Sequence, residues 1–169
     1  MGAPGDDFDE FFRATWPRLF RTAYAVAGDA ASAEDALQAA YARAFASWRR
    51  VTAADHPEAY VRRMVVNEII GDRRRGWWRR ERPVAEPELA GRFESPEDGV
   101  ADRQVVWAAV QELPVRQRAV IVLRYYEDLS EREIAAVLGC SPGTVKSQAS
   151  AALANLRRSA VVLPNGDLA

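Results

Sequence analysis

Eight arginines crowd the segment R-R-M-V-V-N-E-I-I-G-D-R-R-R-G-W-W-R-R-E-R, from Arg62 to Arg82, against Glu68, Asp72 and Glu81, a local charge of +5. Guanidinium groups bind phosphate oxygens with salt-dependent affinity, and aromatic faces take unpaired bases by stacking. Arg62, Arg63, Arg73 and Arg74 with Trp77 and Trp78 therefore have the chemistry to hold a nucleic-acid strand open. The competing reading is a solvated cationic helix end with both tryptophans tucked against a core.

A second group of residues runs from Leu129 to Ser150. Ser130 can cap a helix while Glu133 reaches back to the cap's own N–H, the reciprocal pattern of a capping box. Ala135 is small, and Gly139 falls where a turn between two helices needs a left-handed residue. Ser141 caps again, and Pro142 takes the first helical position, where its missing N–H costs nothing. The following helix would bury Val145, Ala149, Ala152, Leu153 and Leu156 and turn Ser147, Ser150, Ala151 and Ala154 outward, a face small enough to enter a DNA groove. An ordinary helical hairpin would share the first capping box but has no need of every signal in register.

Other chemistry is poorly served. One cysteine, Cys140, and one histidine, His56, cannot build a disulfide framework or a Cys/His zinc site, and no Gly-rich phosphate loop occurs. Cys140 reads as a small packed residue in the turn, and His56, beside Pro57, as a helix cap or surface residue. No enzyme activity and no cofactor is expected. No apolar run approaches the ~18 residues of a membrane span, and the N-terminus is acidic where a signal peptide is basic, so a cytoplasmic protein without a membrane partner is expected. The net charge of −1 would argue against a nucleic-acid binder if it were evenly spread. It is segregated instead: Pro83–Gly99 carries five acids against Arg92 alone, next to the basic block.

These residues need elements to position them. Asp7 is expected to cap a helix with Phe8, Phe12, Trp16, Leu19 and Tyr24 on its apolar face, ended by Gly28. Ser32 is expected to cap a second, with the stripe Ala33, Leu37, Tyr41, Ala44, Phe45 and Trp48 inward and Asp35 and Gln38 outward. A loop from Arg49 to His56 would precede a third helix opened by Pro57 and running to about Asp72. That helix would turn Tyr60, Val61, Met64, Val65 and Ile69 inward and Arg63, Asn67 and Arg74 outward. Pro83–Gly99, with three prolines, two glycines and no period, reads as an extended linker. Beyond it come a helix from about Ala101 to Leu113, another from Pro114 to about Glu127, and the helix-turn-helix. The fold class is all-α, two small helical domains joined by a flexible acidic linker.

In this order the motifs D-A-L-Q (Asp35–Gln38), Y-V-R-R-M-V-V-N (Tyr60–Asn67), R-R-R-G-W-W-R-R and the stretch from Leu113 to Ser147 resemble an extracytoplasmic-function sigma factor of the sigma-70 family, over about residues 8 to 158. The W-W-R-R element is similar to an actinobacterial subgroup. The resemblance implies sigma region 2 over 1–82, a linker over 83–99, region 4 over 100–160 and a tail over 161–169. It implies that Asp35 and Gln38 bind the clamp coiled coil of core RNA polymerase. Arg62, Arg63, Asn67, Arg73, Arg74, Trp77 and Trp78 would act at the −10 promoter element, the loop Val51–His56 receiving a flipped base. Thr144, Lys146, Ser147, Gln148 and Ser150 would read the −35 element. Promoter DNA and an anti-sigma factor are the other partners it implies, and the acidic linker would thread toward the RNA exit path. Relatives often carry arginine where this chain has Gln148, Ala151 and Leu153, so unassisted −35 binding should be weak. The rival readings are a stand-alone helix-turn-helix regulator, with no use for a strand-opening segment, and a helical interaction protein that does not bind DNA.

Overall fold

A computed structural model of the chain describes residues 4–75 and 100–159, with side chains over 5–71 and 104–159. Two compact units emerge, Met1–Arg80 and Glu81–Ala169. Every secondary-structure element among the described residues is a helix, as the all-α reading expects.

The N-terminal unit is built from α1 (Pro4–Ala27), α2 (Ala30–Ala46), the short α3 (Trp48–Thr52) and α4 (Pro57–Arg75). α1, α2 and α4 pack on one another as a three-helix bundle, and α3 rests against α2 and α4. Ala33, Ala36, Ala40 and Ala44 are buried along α2, so its backbone approaches its neighbours closely while Leu19, Leu37, Val61, Val65 and Val66 fill the centre.

Packing moved several boundaries. Asp7 lies inside the first turn of α1, because the helix already starts at Pro4; Asp6 and Asp7 there complement the positive helix end. Gly28, at φ 90°, turns the chain at the end of α1. α2 then begins at once, capped by Asp29, whose Oδ1 accepts from the Ser32 N–H at 2.7 Å, so Ser32 is the capped residue and not the cap. Phe45 is 55 % exposed, and Trp48 belongs to α3, which occupies part of the expected loop and buries Val51.

Seven rings (Phe8, Phe11, Phe12, Trp16, Tyr41, Phe45 and Trp48) form an aromatic layer joining α1 to α2 and α3, with Phe12 and Tyr41 4.8 Å apart and Phe8 and Trp48 5.2 Å apart. Such pairs add to the bundle beyond the area they bury. Within the layer the Thr15 hydroxyl gives its proton to the Phe11 carbonyl at 2.7 Å, so the Tyr41 hydroxyl, also 2.7 Å away, donates to Thr15. Burial pushes the Tyr41 phenol up to about 12.

The C-terminal unit comprises α5 (Val100–Glu112), α6 (Val115–Ile121), a π-helical turn (Val122–Tyr126), α7 (Glu131–Leu138) and α8 (Pro142–Ser159). The expected single helix to Glu127 is therefore α-helical only to Ile121. The wider turn lets Val122, Leu123 and Tyr126 all face inward, and Asp128, at φ 56°, reverses the chain in a conformation aspartate tolerates. Val110, Leu113, Ile121, Ala152 and Leu156 form a core between α5, α6 and α8. Buried Arg118 fixes the α5–α6 corner, donating to Gln111 Oε1 at 2.6 Å and to the Leu113 carbonyl at 3.3 Å.

Candidate nucleic-acid interfaces

On the N-terminal unit, Arg63 and Asn67 lie one turn apart on α4, both exposed. With Tyr60 and Met64 from the same helix face they line an open groove of about 500 Å³, completed by Arg43 of α2 and by Glu68. The Arg43 guanidinium pairs with the Glu68 carboxylate across it. Tyr60 and Met64, expected in the core, are half-buried at this edge; Val66 and Ile70 take the inner positions.

Arg62 behaves differently from its neighbour. It is 8 % exposed, because position 62 turns toward the face of Val61, Val65, Val66 and Ile69, and it cannot offer its charge to a ligand as Arg63 does. Arg73 and Arg74 fall in the last turn of α4, beyond the described side chains, and Trp77 and Trp78 lie outside the described residues, as does the acidic linker. Of the loop Val51–His56, Val51 is buried, while Asp55 and His56 are exposed. The His56 carbonyl accepts the first hydrogen bond of α4, from Tyr60. Asp35 and Gln38 are exposed one turn apart on α2.

On the C-terminal unit the helix-turn-helix has the expected local construction. Ser130 Oγ accepts from the Glu133 N–H at 3.3 Å, and Glu133 Oε2 accepts from the Ser130 N–H at 2.8 Å, closing the capping box. Gly139, at φ 63°, ends α7, and the Cys140 N–H donates to the Ala135 carbonyl. Ser141 Oγ then accepts from the Thr144 N–H at 3.1 Å, starting α8 with Pro142 in its first turn. Val145, Ala149, Ala152 and Leu156 are buried, and Leu153 is half-buried.

Thr144, Lys146, Ser147 and Ser150 stand exposed together on the first three turns of α8, with Ala151 among them and Ala154 beyond; Gln148 is half-buried beside them. The Ser147 hydroxyl donates to the Thr144 carbonyl at 2.9 Å, leaving its oxygen to act as an acceptor. Lys146 is the one cation on these turns; Arg157 and Arg158 follow only at the far end, where Arg158 binds Asn155.

Sequence reasoning missed Arg43, Tyr60 and Glu68. Tyr60, Met64 and Asn67 repeat at helical spacing, which could have flagged a shared face. The Arg43–Glu68 pair joins two helices and leaves no local signal. Among the described residues no group of acidic, histidine or cysteine side chains could hold a metal, and no helix is long and apolar enough to cross a membrane.

Both halves match known families in the order of the chain: residues 11–79 match "Sigma-70 region 2" and residues 103–156 match "Sigma-70, region 4". The chain is 37 % identical over 159 residues to an RNA polymerase sigma-E factor of Streptomyces coelicolor, covering 92 % of this chain and 86 % of that one. It is 33 % identical over 144 residues to the ECF RNA polymerase sigma factor SigL of Mycobacterium tuberculosis, covering 82 % and 80 %. The fold is shared, at a TM-score of 0.70 and 24 % identity over 92 % of this chain and 98 % of the other, with the sigma factor RpoE co-crystallised with the anti-sigma factor NepR from Bartonella quintana. The chain belongs to the extracytoplasmic-function sigma factors of the sigma-70 family, related to actinobacterial members. Its role is therefore with RNA polymerase at promoters, and it is not an enzyme.

Proposed function

We propose that this chain directs core RNA polymerase to a defined promoter class by dividing the work between its two units. Residues 1–82 would bind core through Asp35 and Gln38 and engage the −10 element through Arg63 and Asn67. Arg73, Arg74, Trp77 and Trp78 would hold the opened strand, and Arg62 would support the helix from within. Residues 100–160 would read the −35 element with Thr144, Lys146, Ser147 and Ser150, with Gln148 at the edge of that face. Residues 83–99 would be the linker and 161–169 the tail. The observation that carries this reading is the exposed Arg63–Asn67 turn on one unit and the exposed first turns of α8 on the other, in a chain that matches both sigma regions.

Lys146 is the one cation on the first turns of α8, so binding to −35 duplex without polymerase should be weak and change little with salt. Core polymerase would supply the remaining affinity, placing the protein in the cytoplasm. An anti-sigma factor is proposed as a further partner, since the fold neighbour from Bartonella quintana is complexed with one. Run-off transcription with core polymerase on genomic fragments tests the reading. Discrete start sites that vanish without this chain are expected, and absence of co-elution with core on gel filtration would overturn it.

A further inference from the structure

We propose that Lys146 is an acylation site, and that an acyl group on its Nζ switches off the −35 contact of α8. The inference rests on the reading of α8 as that contact and adds a regulatory chemistry to it.

Composition singles this residue out. Of the 23 lysine and arginine side chains in the chain, Lys146 is the one lysine, and all the others are arginine. A primary amine that has given up its proton attacks activated acyl groups, whereas a guanidinium stays protonated and does not. Acyl chemistry on the cationic side chains is therefore confined to a single point, and that point lies on the helix face turned away from the core.

Its surroundings leave the amine accessible. Lys146 is exposed, and its ammonium group makes no hydrogen bond or ion pair with any described residue. α8 contains no acidic residue that could hold it. The neighbours one turn away, Pro142, Gly143 and Ser150, are short and exposed, so none of them covers Nζ. A duplex seated on α8 would cover it, so the chain free of promoter is the form that reacts.

The step needs only an activated acyl donor, an acyl phosphate or an acyl thioester. The Lys146 ammonium loses a proton to water and the amine attacks the acyl carbon. A C–N amide bond forms as the C–O bond to phosphate, or the C–S bond to the thiol, breaks and the leaving group departs with the electron pair. Nothing is oxidised or reduced. The product is neutral and keeps one N–H donor where the ammonium had three. Lys146 is the one cation on the first three turns of α8, so a single amide bond removes the whole positive charge of that face.

The test treats the full chain with acetyl phosphate in one arm and acetyl-coenzyme A in another, removes the reagent, and assembles the chain with untreated core polymerase. Peptide mass mapping locates the acetyl group. Fluorescence anisotropy then reads binding to a labelled promoter carrying both elements, and to the same promoter shortened to end between them. Chain acetylated at Lys146 is expected to bind the complete promoter about 2- to 5-fold more weakly than untreated chain, with a salt slope smaller by about 0.9, and to bind the shortened one equally well. Reaction in one arm alone supports the site and names the donor class. Lys146→Arg, treated alike, should keep the affinity of its own untreated form, which removes the terminal α-amine as the cause. Matched thermal melting of treated and untreated chain separates binding from folding.

The proposal is overturned if neither reagent acetylates Lys146, or if an equal loss appears on the shortened promoter. It is also overturned if acetylated chain binds the complete promoter as untreated chain does while Lys146→Ala binds it more weakly; the −35 reading then stands without the switch. Where Lys146→Ala is itself silent, Lys146 is no −35 contact, and the reading beneath the switch fails with it.

Discussion

The N-terminal and C-terminal units differ in what holds them and in what they offer a ligand. The first uses helices of 24, 17 and 19 residues, joined by an aromatic layer and a bundle core, and shows cations, an amide and a tyrosine around a groove. The second places its α6 and α7, of 7 and 8 residues, by a π turn, a capping box and a left-handed glycine, and shows small neutral side chains with one lysine. Helices that short are marginal alone, so their ends must be specified locally. Long helices buried in a bundle have their limits set by packing. A cationic groove suits an unpaired strand, and a small neutral helix face suits close approach to a duplex already delivered by a larger machine.

The contrast breaks first at the level of transcription. Arg63→Gln combined with Asn67→Ala should lower run-off product roughly 30-fold, since two contacts of about 1 kcal/mol each multiply. If Lys146→Ala does equal damage, the division of labour is wrong. Gly139→Ala probes the locally specified unit: a Cβ there meets nothing within 4 Å, so its cost is the left-handed backbone alone, about 1–2 kcal/mol in urea unfolding. A loss well below that range would mean the turn can relax and does not need its left-handed residue.

Lys146→Ala itself should weaken holoenzyme binding to promoter DNA by only about 2- to 3-fold and reduce the salt slope by about 0.9, read from titrations at several ionic strengths. The smallest effect is visible only in alkali. The Tyr41 phenol sits near 10 in the unfolded chain and about 12 in the folded one. The unfolded state therefore loses its proton first, so the stability Tyr41 supplies is complete below pH 10 and is lost as pH rises from 10 through about 12. Tyr41→Phe should flatten that decline in denaturation curves; an unchanged slope would remove Tyr41 as its source.

Legibility followed the same contrast. Ser130, Glu133, Gly139, Ser141 and Pro142 were readable because each acts on a backbone group within four residues of itself. Asp29, the actual cap of α2, was hidden because the choice between it and Ser32 depends on Gly28 turning the chain straight from α1 into a helix whose alanine face is already engaged. Phe45 and Trp48 fitted a helical stripe, yet α2 ends at Ala46, so one ring stays largely exposed and the other moves to α3. At the candidate site, exposed Arg63 and Asn67 followed from helical period, whereas the inward turn of Arg62 did not.

Composition, helical period and capping act over a few residues, so the all-α class, the helix-turn-helix with its caps and the separation of a basic block from an acidic one are written in the chain itself. Packing alone brought Arg43 of α2 to Glu68 and Tyr60 of α4 and turned Arg62 inward. Those outcomes depend on how two helices pack side by side, a relation between residues 25 apart in the chain that no local pattern carries.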